Sequence, residues 1–252
     1  MPLVVLLGLV SVFSRTGVVD AFGVKGATPG FSLFPQSTTN NKDGTTNVIE
    51  AAQKVMANTG YFSPMDASLF ADDFIFRGPA IGPLNKSDYQ SVLEYFSVYK
   101  AFPDLNPNCF GYNVDPEDPL RVWLMVRATG TYTQPLGGAL GKLAPPPDSR
   151  PYRGSTETWS LLFDADLKCR LMTAGYVSDR FDSAATTNGI GLTFGILETL
   201  GLSLPSAVGD PRLRLIQAVN GPLEASGMTP KAVSAPKDIP TWWESSKRGA
   251  DP

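Results

Sequence analysis

From Phe110 onward the sequence is a succession of strands with no helix-length pattern between them, and no other feature constrains the fold as much. Residues 110–114 alternate as a strand, 115–119 form an Asp/Pro turn cluster, and 120–133 form a long run rich in β-branched and aromatic residues. A Gly/Pro loop over 134–151 leads to two further strands, 153–163 and 169–181, joined across Asp164 and Asp166. Strands linked by turns pair antiparallel, and strands this long in a small domain must twist and bend.

Helical patterns precede them. Asn47 followed by Glu50 has the spacing of a capping box, and Ile49, Ala52, Val55 and Met56 share one helical face. Asp66 caps a short turn ending at Phe70, and residues 74–77 alternate as a strand that runs into Gly78-Pro79. Asn85 or Ser87 opens a third helix with Tyr89, Val92, Leu93 and Phe96 as its apolar stripe, and Pro103 stops it. The expectation is an α+β fold over residues 45–182, with three N-terminal helices packed on a strongly curved antiparallel sheet. Such a cone leaves a cavity between helices and sheet.

The chain has 252 residues and no histidine, which excludes imidazole-based triads, HExxH zinc sites and imidazole pH switches. Proton transfer near neutral pH must then use a perturbed carboxylate, tyrosine, lysine or cysteine. A pI near 5.0 offers no basic stripe for nucleic acid. Cys109 and Cys169 lack metal-ligand spacing and read as two free thiols rather than one disulfide. No metal or cofactor motif is present.

The first 44 residues read as targeting sequence. Residues 3–13 are an apolar run too short to span a membrane, so 1–21 reads as a signal peptide. Residues 22–44, rich in Ser, Thr, Gly and Pro, contain Asp43 as their one acidic residue and read as a transit-like segment. The joint Val19-Asp20-Ala21-Phe22 resembles the cleavage motif of bipartite plastid presequences in red-lineage algae. That resemblance implies a plastid protein; plain secretion is the alternative.

The phrase Phe70-Ala-Asp-Asp-Phe-Ile-Phe-Arg-Gly-Pro79, the helix ending Ala-Phe-Pro-Asp104 and the strand Val126-Arg-Ala-Thr-Gly-Thr-Tyr-Thr133 resemble the SnoaL-like polyketide cyclase group of the NTF2-like superfamily. So does the final strand pair from Tyr152 to Asp179. The resemblance implies a cone-shaped pocket, homodimers through the outer sheet face, and an aspartate near the end of the last strand acting as general base. Asp179 matches that place. The histidine or glutamate that precedes it in relatives is replaced here by Thr173 and Ala174, so the acid–base partner is missing.

Strand alternation supplies the other candidates. One parity of the last strand groups Leu171, Thr173, Gly175, Val177 and Asp179; on the strand before, Glu157 and Trp159 share a face. Glu157 either points inward, where a lone carboxyl is costly unless paired or working, or a bulge slips the parity and leaves it solvated. Asp179 and Glu157 are thus the catalytic candidates, with Trp159, Arg77, Tyr89, Arg127, Tyr132 and Thr173 as substrate contacts. Of the two carboxylates, one is expected to pair with Arg77 or Arg127, leaving the other as base.

Residues 183–205 form an apolar, Gly-punctuated segment with Leu192, Ile196 and Leu200 on one helical face. It can cap the pocket, or dock on a membrane surface or another subunit. The tail from 206 to 252 is expected to be extended, with Trp242-Trp243 as its anchor. Three functions stay open: an isomerase, cyclase or lyase acting on a small hydrophobic carbonyl-bearing metabolite, a non-catalytic binder of such a molecule, and a subunit of a plastid (thylakoid) membrane complex.

Overall fold

The computed structural model describes residues 45–205 and 209–251. The signal peptide expected over 1–21 and the transit-like segment over 22–44 lie outside them. Helix α1 (Thr45–Ala57) buries Val48, Ala52, Val55 and Met56. Because the helix begins before Asn47, that residue lies within it, and Ile49 falls at the margin of the buried face. Asp66 caps a single 3-10 turn, its carboxylate accepting the Ser68 N–H at 3.0 Å. Strand β1 (Phe70–Arg77) follows, then the loop 78–83 and the short β2 (Leu84–Asn85).

Asn85 caps α2 (Lys86–Phe96), Oδ1 accepting the Asp88 N–H at 2.9 Å. The stripe buries Tyr89 and Leu93. The helix ends before Pro103, at Ser97, which adopts a left-handed conformation (φ 45°) and starts the one-turn α3 (Val98–Ala101).

A six-stranded sheet runs in the order β2-β1-β8-β7-β4-β3, where β3 is Phe110–Val114, β4 Arg121–Val126, β7 Thr156–Phe163 and β8 Cys169–Asp179. Its pairings are antiparallel except β1 with β8, which run parallel. A parallel pair needs a long crossover, and here that crossover is everything from β2 to β7. The curved antiparallel sheet and the helices over it give the α+β class expected.

The strand expected over 120–133 breaks after Val126. Residues Thr129–Thr131 (β5) turn away and pair with Pro151–Arg153 (β6) in a separate two-stranded sheet. The strand expected over 153–163 breaks at the matching place, Gly154-Ser155. Both members of the antiparallel pair interrupt together, so the ribbon turns a corner while the sequence keeps alternating. The one-turn α4 (Gly138–Gly141) lies in the loop between them.

A β-bulge decides what β8 presents to the interior. Thr158 pairs with Tyr176 and Ser160 with Thr173, so β8 spends one residue more than β7 over that stretch. Gly175, at φ 86°, supplies the conformation that an L side chain resists. Met172 and Ala174 therefore face inward before the bulge and Val177, opposite Glu157, after it. A second shift places Asp179 opposite Thr156 rather than on the Glu157 face.

Beyond the sheet, α5 (Leu192–Thr199) lays Leu192, Ile196 and Leu197 onto the domain. The tail is not extended. Asp210 caps α6 (Pro211–Ala225), accepting the Arg212 N–H at 2.8 Å, with Pro211 in the first turn. The chain then returns to the loop 78–83: Gly82 N–H donates to Ala232 O at 2.8 Å, and Gly249 N–H to Gly82 O at 2.7 Å. Trp242 does anchor, with the Arg170 guanidinium 4.6 Å from its ring centre. No described helix is long and apolar enough to cross a membrane.

Candidate functional site

Between α2, the sheet and α5 lies a cavity of about 460 Å³, a volume typical of small-molecule sites. Its walls are apolar: Tyr89, Leu93 and Phe96 from α2, Trp159 from β7, and Ile196 and Leu197 from α5. Among the described lining residues Glu157 is the only carboxyl and Arg180 the only cation.

Glu157 is 1% exposed, and each of its oxygens meets a donor. Trp159 Nε1–H donates to Oε2 at 2.9 Å, and the Leu192 backbone N–H donates to Oε1. Leu192 is the first residue of α5, and the preceding Gly191 has no side chain with which to cap the helix. The carboxyl from β7 takes over that role, and a helix N-terminus favours its anionic form. Gly191 also provides the space, since a Cβ there would lie 2.9 Å from Glu157 Oε1 and 2.9 Å from Gly175 O. Burial is the larger effect; it outweighs both donors and pushes the Glu157 pKa up to about 7.

The Tyr61 hydroxyl is buried and has no hydrogen bond in the structure. It lies near Glu157 and beside the Thr193 side chain. Burial raises its pKa, so it stays a neutral phenol able to donate. Tyr152, also buried and unpartnered, is electrostatically coupled to Tyr61 and Glu157.

Of the residues singled out in the sequence, Glu157, Trp159 and Tyr89 come together at this cavity. Tyr89 stacks on Phe76 at 4.8 Å and donates to Thr59 O at 3.3 Å. Asp179 is exposed outside it, accepting the Phe181 N–H at 3.0 Å, because the shift between Thr156 and Glu157 takes it off the inner face that Val177 occupies. Thr173 precedes the bulge, on the opposite face from Met172, and shares a 2.7 Å hydrogen bond with Ser160. Arg77 holds backbone instead of a carboxylate: Nη1 donates to Gly78 O (2.8 Å), Ile81 O (3.0 Å) and Gly249 O (2.8 Å). Arg127 donates to Thr156 Oγ1 at 2.8 Å and lies over the Phe110 ring. The pairing of Arg77 or Arg127 with Glu157 does not form. Tyr132 packs on Phe102 and donates to Pro145 O at 3.0 Å, away from the cavity.

Sequence reasoning missed Tyr61, Thr193 and Arg180. Tyr61 lies outside any periodic element, where alternation gives no direction, and β8 ends at Asp179, short of Arg180, although the expected strand runs through 181.

Neither a family model nor a curated protein matches the chain. Solved structures similar to it include an NTF2-like protein from Anabaena variabilis, 16% identical over 57% of this chain and 96% of that one, with a TM-score of 0.40. Another is a candidate SnoaL-like polyketide cyclase from Jannaschia sp., 14% identical over 51% and 84%, TM-score 0.37. A third is the epoxide hydrolase/cyclase-like enzyme SalBIII, 12% identical over 52% and 88%, TM-score 0.35. The chemistry of this cavity rests on its own residues.

Glu157 also sets a pH dependence of stability. Its folded pKa, about 7, lies above the ordinary 4.5. Below pH 4.5 both folded and unfolded chains hold the proton; from there to pH 7 only the unfolded chain gives it up. Folding stability is therefore expected to fall by roughly 3 kcal/mol across that window on account of this group. Urea unfolding of wild type and Glu157→Gln at several pH values isolates the effect, because the variant lacks that slope.

Proposed function

We propose that the protein binds a small, mostly apolar molecule carrying a carbonyl or hydroxyl oxygen, and that Glu157 moves a proton on it. The observation that carries this reading is one buried carboxyl, with a pKa near neutrality, facing an apolar cavity. As a carboxylate it accepts a proton from carbon next to a carbonyl. Tyr61 is placed to donate to the oxygen where charge develops. The Glu157 carboxylic acid then returns the proton at another atom, giving isomerisation, or to a departing hydroxyl, giving elimination. No histidine is required.

A second reading has its own support. Both Glu157 oxygens already accept hydrogen bonds, so the residue also latches α5 over the cavity, as a non-catalytic binder would need. Delivery to a plastid is proposed on residues 1–44 alone, and a homodimer through the outer sheet face on the exposed Trp123 and Tyr176.

Mass spectrometry of protein purified gently from native material tests the shared element. The expected result is a stoichiometric small molecule with an apolar body and at least one oxygen. A purified protein that holds no such molecule and binds none from a native extract would sink both readings.

A further inference from the structure

The cavity is electrostatically asymmetric from end to end. Glu157 sits inside, where a second anion would meet a buried carboxyl with no cation to offset it. Among the described residues, the one cation that lines the cavity is on its exposed side. Arg180 lines it, is exposed, and forms no ion pair or hydrogen bond with another described residue. Of the neighbouring acids, Asp182 pairs with Arg153 at 3.4 Å, and Asp179 accepts the Phe181 N–H at 3.0 Å and forms no ion pair with Arg180.

The place of Arg180 is fixed by the backbone. A Cβ on Gly189 would lie 2.8 Å from Arg180 O, so the end of β8 packs tightly against the segment that leads into α5. A second cation stands behind the loop 78–83, part of which lines the cavity. Arg77 is 8% exposed, its hydrogen bonds go to backbone carbonyls, and it has no carboxylate within 4.0 Å among the described residues. Backbone carbonyls and, from farther away, the Asp251 carboxylate offset this cation.

We propose that the ligand is an amphipathic acid whose carboxylate is held by Arg180 at the mouth while its apolar body fills the cavity. The guanidinium presents a planar fork that matches a carboxylate with two parallel hydrogen bonds. This rests on the pocket reading and assigns the ligand class and its orientation: acid outward, oxygenated or apolar end toward Glu157.

Isothermal titration of the full chain with dodecanoate and with 1-dodecanol, in wild type and Arg180→Gln, tests it. The expected result is that the substitution weakens dodecanoate binding roughly tenfold more than dodecanol binding, as loss of one charge-assisted contact does. Arg180 is exposed, so the variant folds. Equal loss for acid and alcohol, or no loss for either, overturns the assignment of Arg180 and leaves the pocket standing. If wild type binds neither probe, the pocket reading fails with it.

Discussion

Glu157→Gln is expected to lower turnover of the cavity's ligand about 10²–10⁴-fold, the range that a positioned acid–base group contributes. The substitution keeps size and shape but removes the proton acceptor. It changes the ligand's Kd little, because the apolar walls formed by Leu93, Trp159 and Ile196 are untouched. It also has a structural cost. The carboxylate offers two oxygens to two donors, Trp159 Nε1–H and the Leu192 N–H. An amide offers one oxygen and turns its NH₂ toward the other donor, which costs about 1–3 kcal/mol in a buried site. Turnover must therefore be compared at a temperature where both proteins are folded. Unchanged turnover with intact binding removes the proton-transfer role and leaves Glu157 as the latch of α5.

Trp159→Ala should cost 3–5 kcal/mol, approximately, in denaturant unfolding, the range for deleting a buried indole. The ring is 3% exposed and lies 6.0 Å from the Phe62 ring. Trp159→Phe separates packing from hydrogen bonding. It keeps an aromatic wall but takes the N–H away from Glu157 Oε2, so a smaller loss of about 1–3 kcal/mol is expected. The Glu157 pKa should also rise beyond about 7, since the Trp159 hydrogen bond opposes the effect of burial. Equal stabilities for the two variants would mean that the ring's bulk contributes nothing.

The path from sequence to site runs through the strands and fails where their registers shift. On β7 the alternation of Glu157, Trp159, Leu161 and Phe163 is unbroken, and the structure places those four side chains in the interior. On β8 the same logic reverses at Gly175. A glycine inside a strand signals a bulge, and one extra residue moves every later side chain to the other face. That bulge brings Val177 to the inner face, and a second shift between Thr156 and Glu157 then turns Asp179 out of the site. Asp210-Pro211, a cap followed by proline in the first turn, marks a helix start inside a segment whose composition suggests an extended tail. Tyr61 had no such signal. Its direction comes from the packing of a loop against α5, which depends on the whole fold.

The apolar Gly-rich segment shows how a small residue serves the site. Gly191 lets the first turn of α5 approach Glu157 closely enough for one carboxyl to cap the helix and face the cavity. Cavity wall and acid are thereby joined. Protonation of Glu157 weakens the charge-assisted bond to α5.

The most direct test of this account is the pKa of Glu157, followed by the ¹³C shift of its side-chain carboxyl with Glu157→Gln as the assignment control. The account predicts a midpoint near 7, set by burial against two donors. A midpoint near the ordinary 4.5 would show a solvated carboxylate and contradict it.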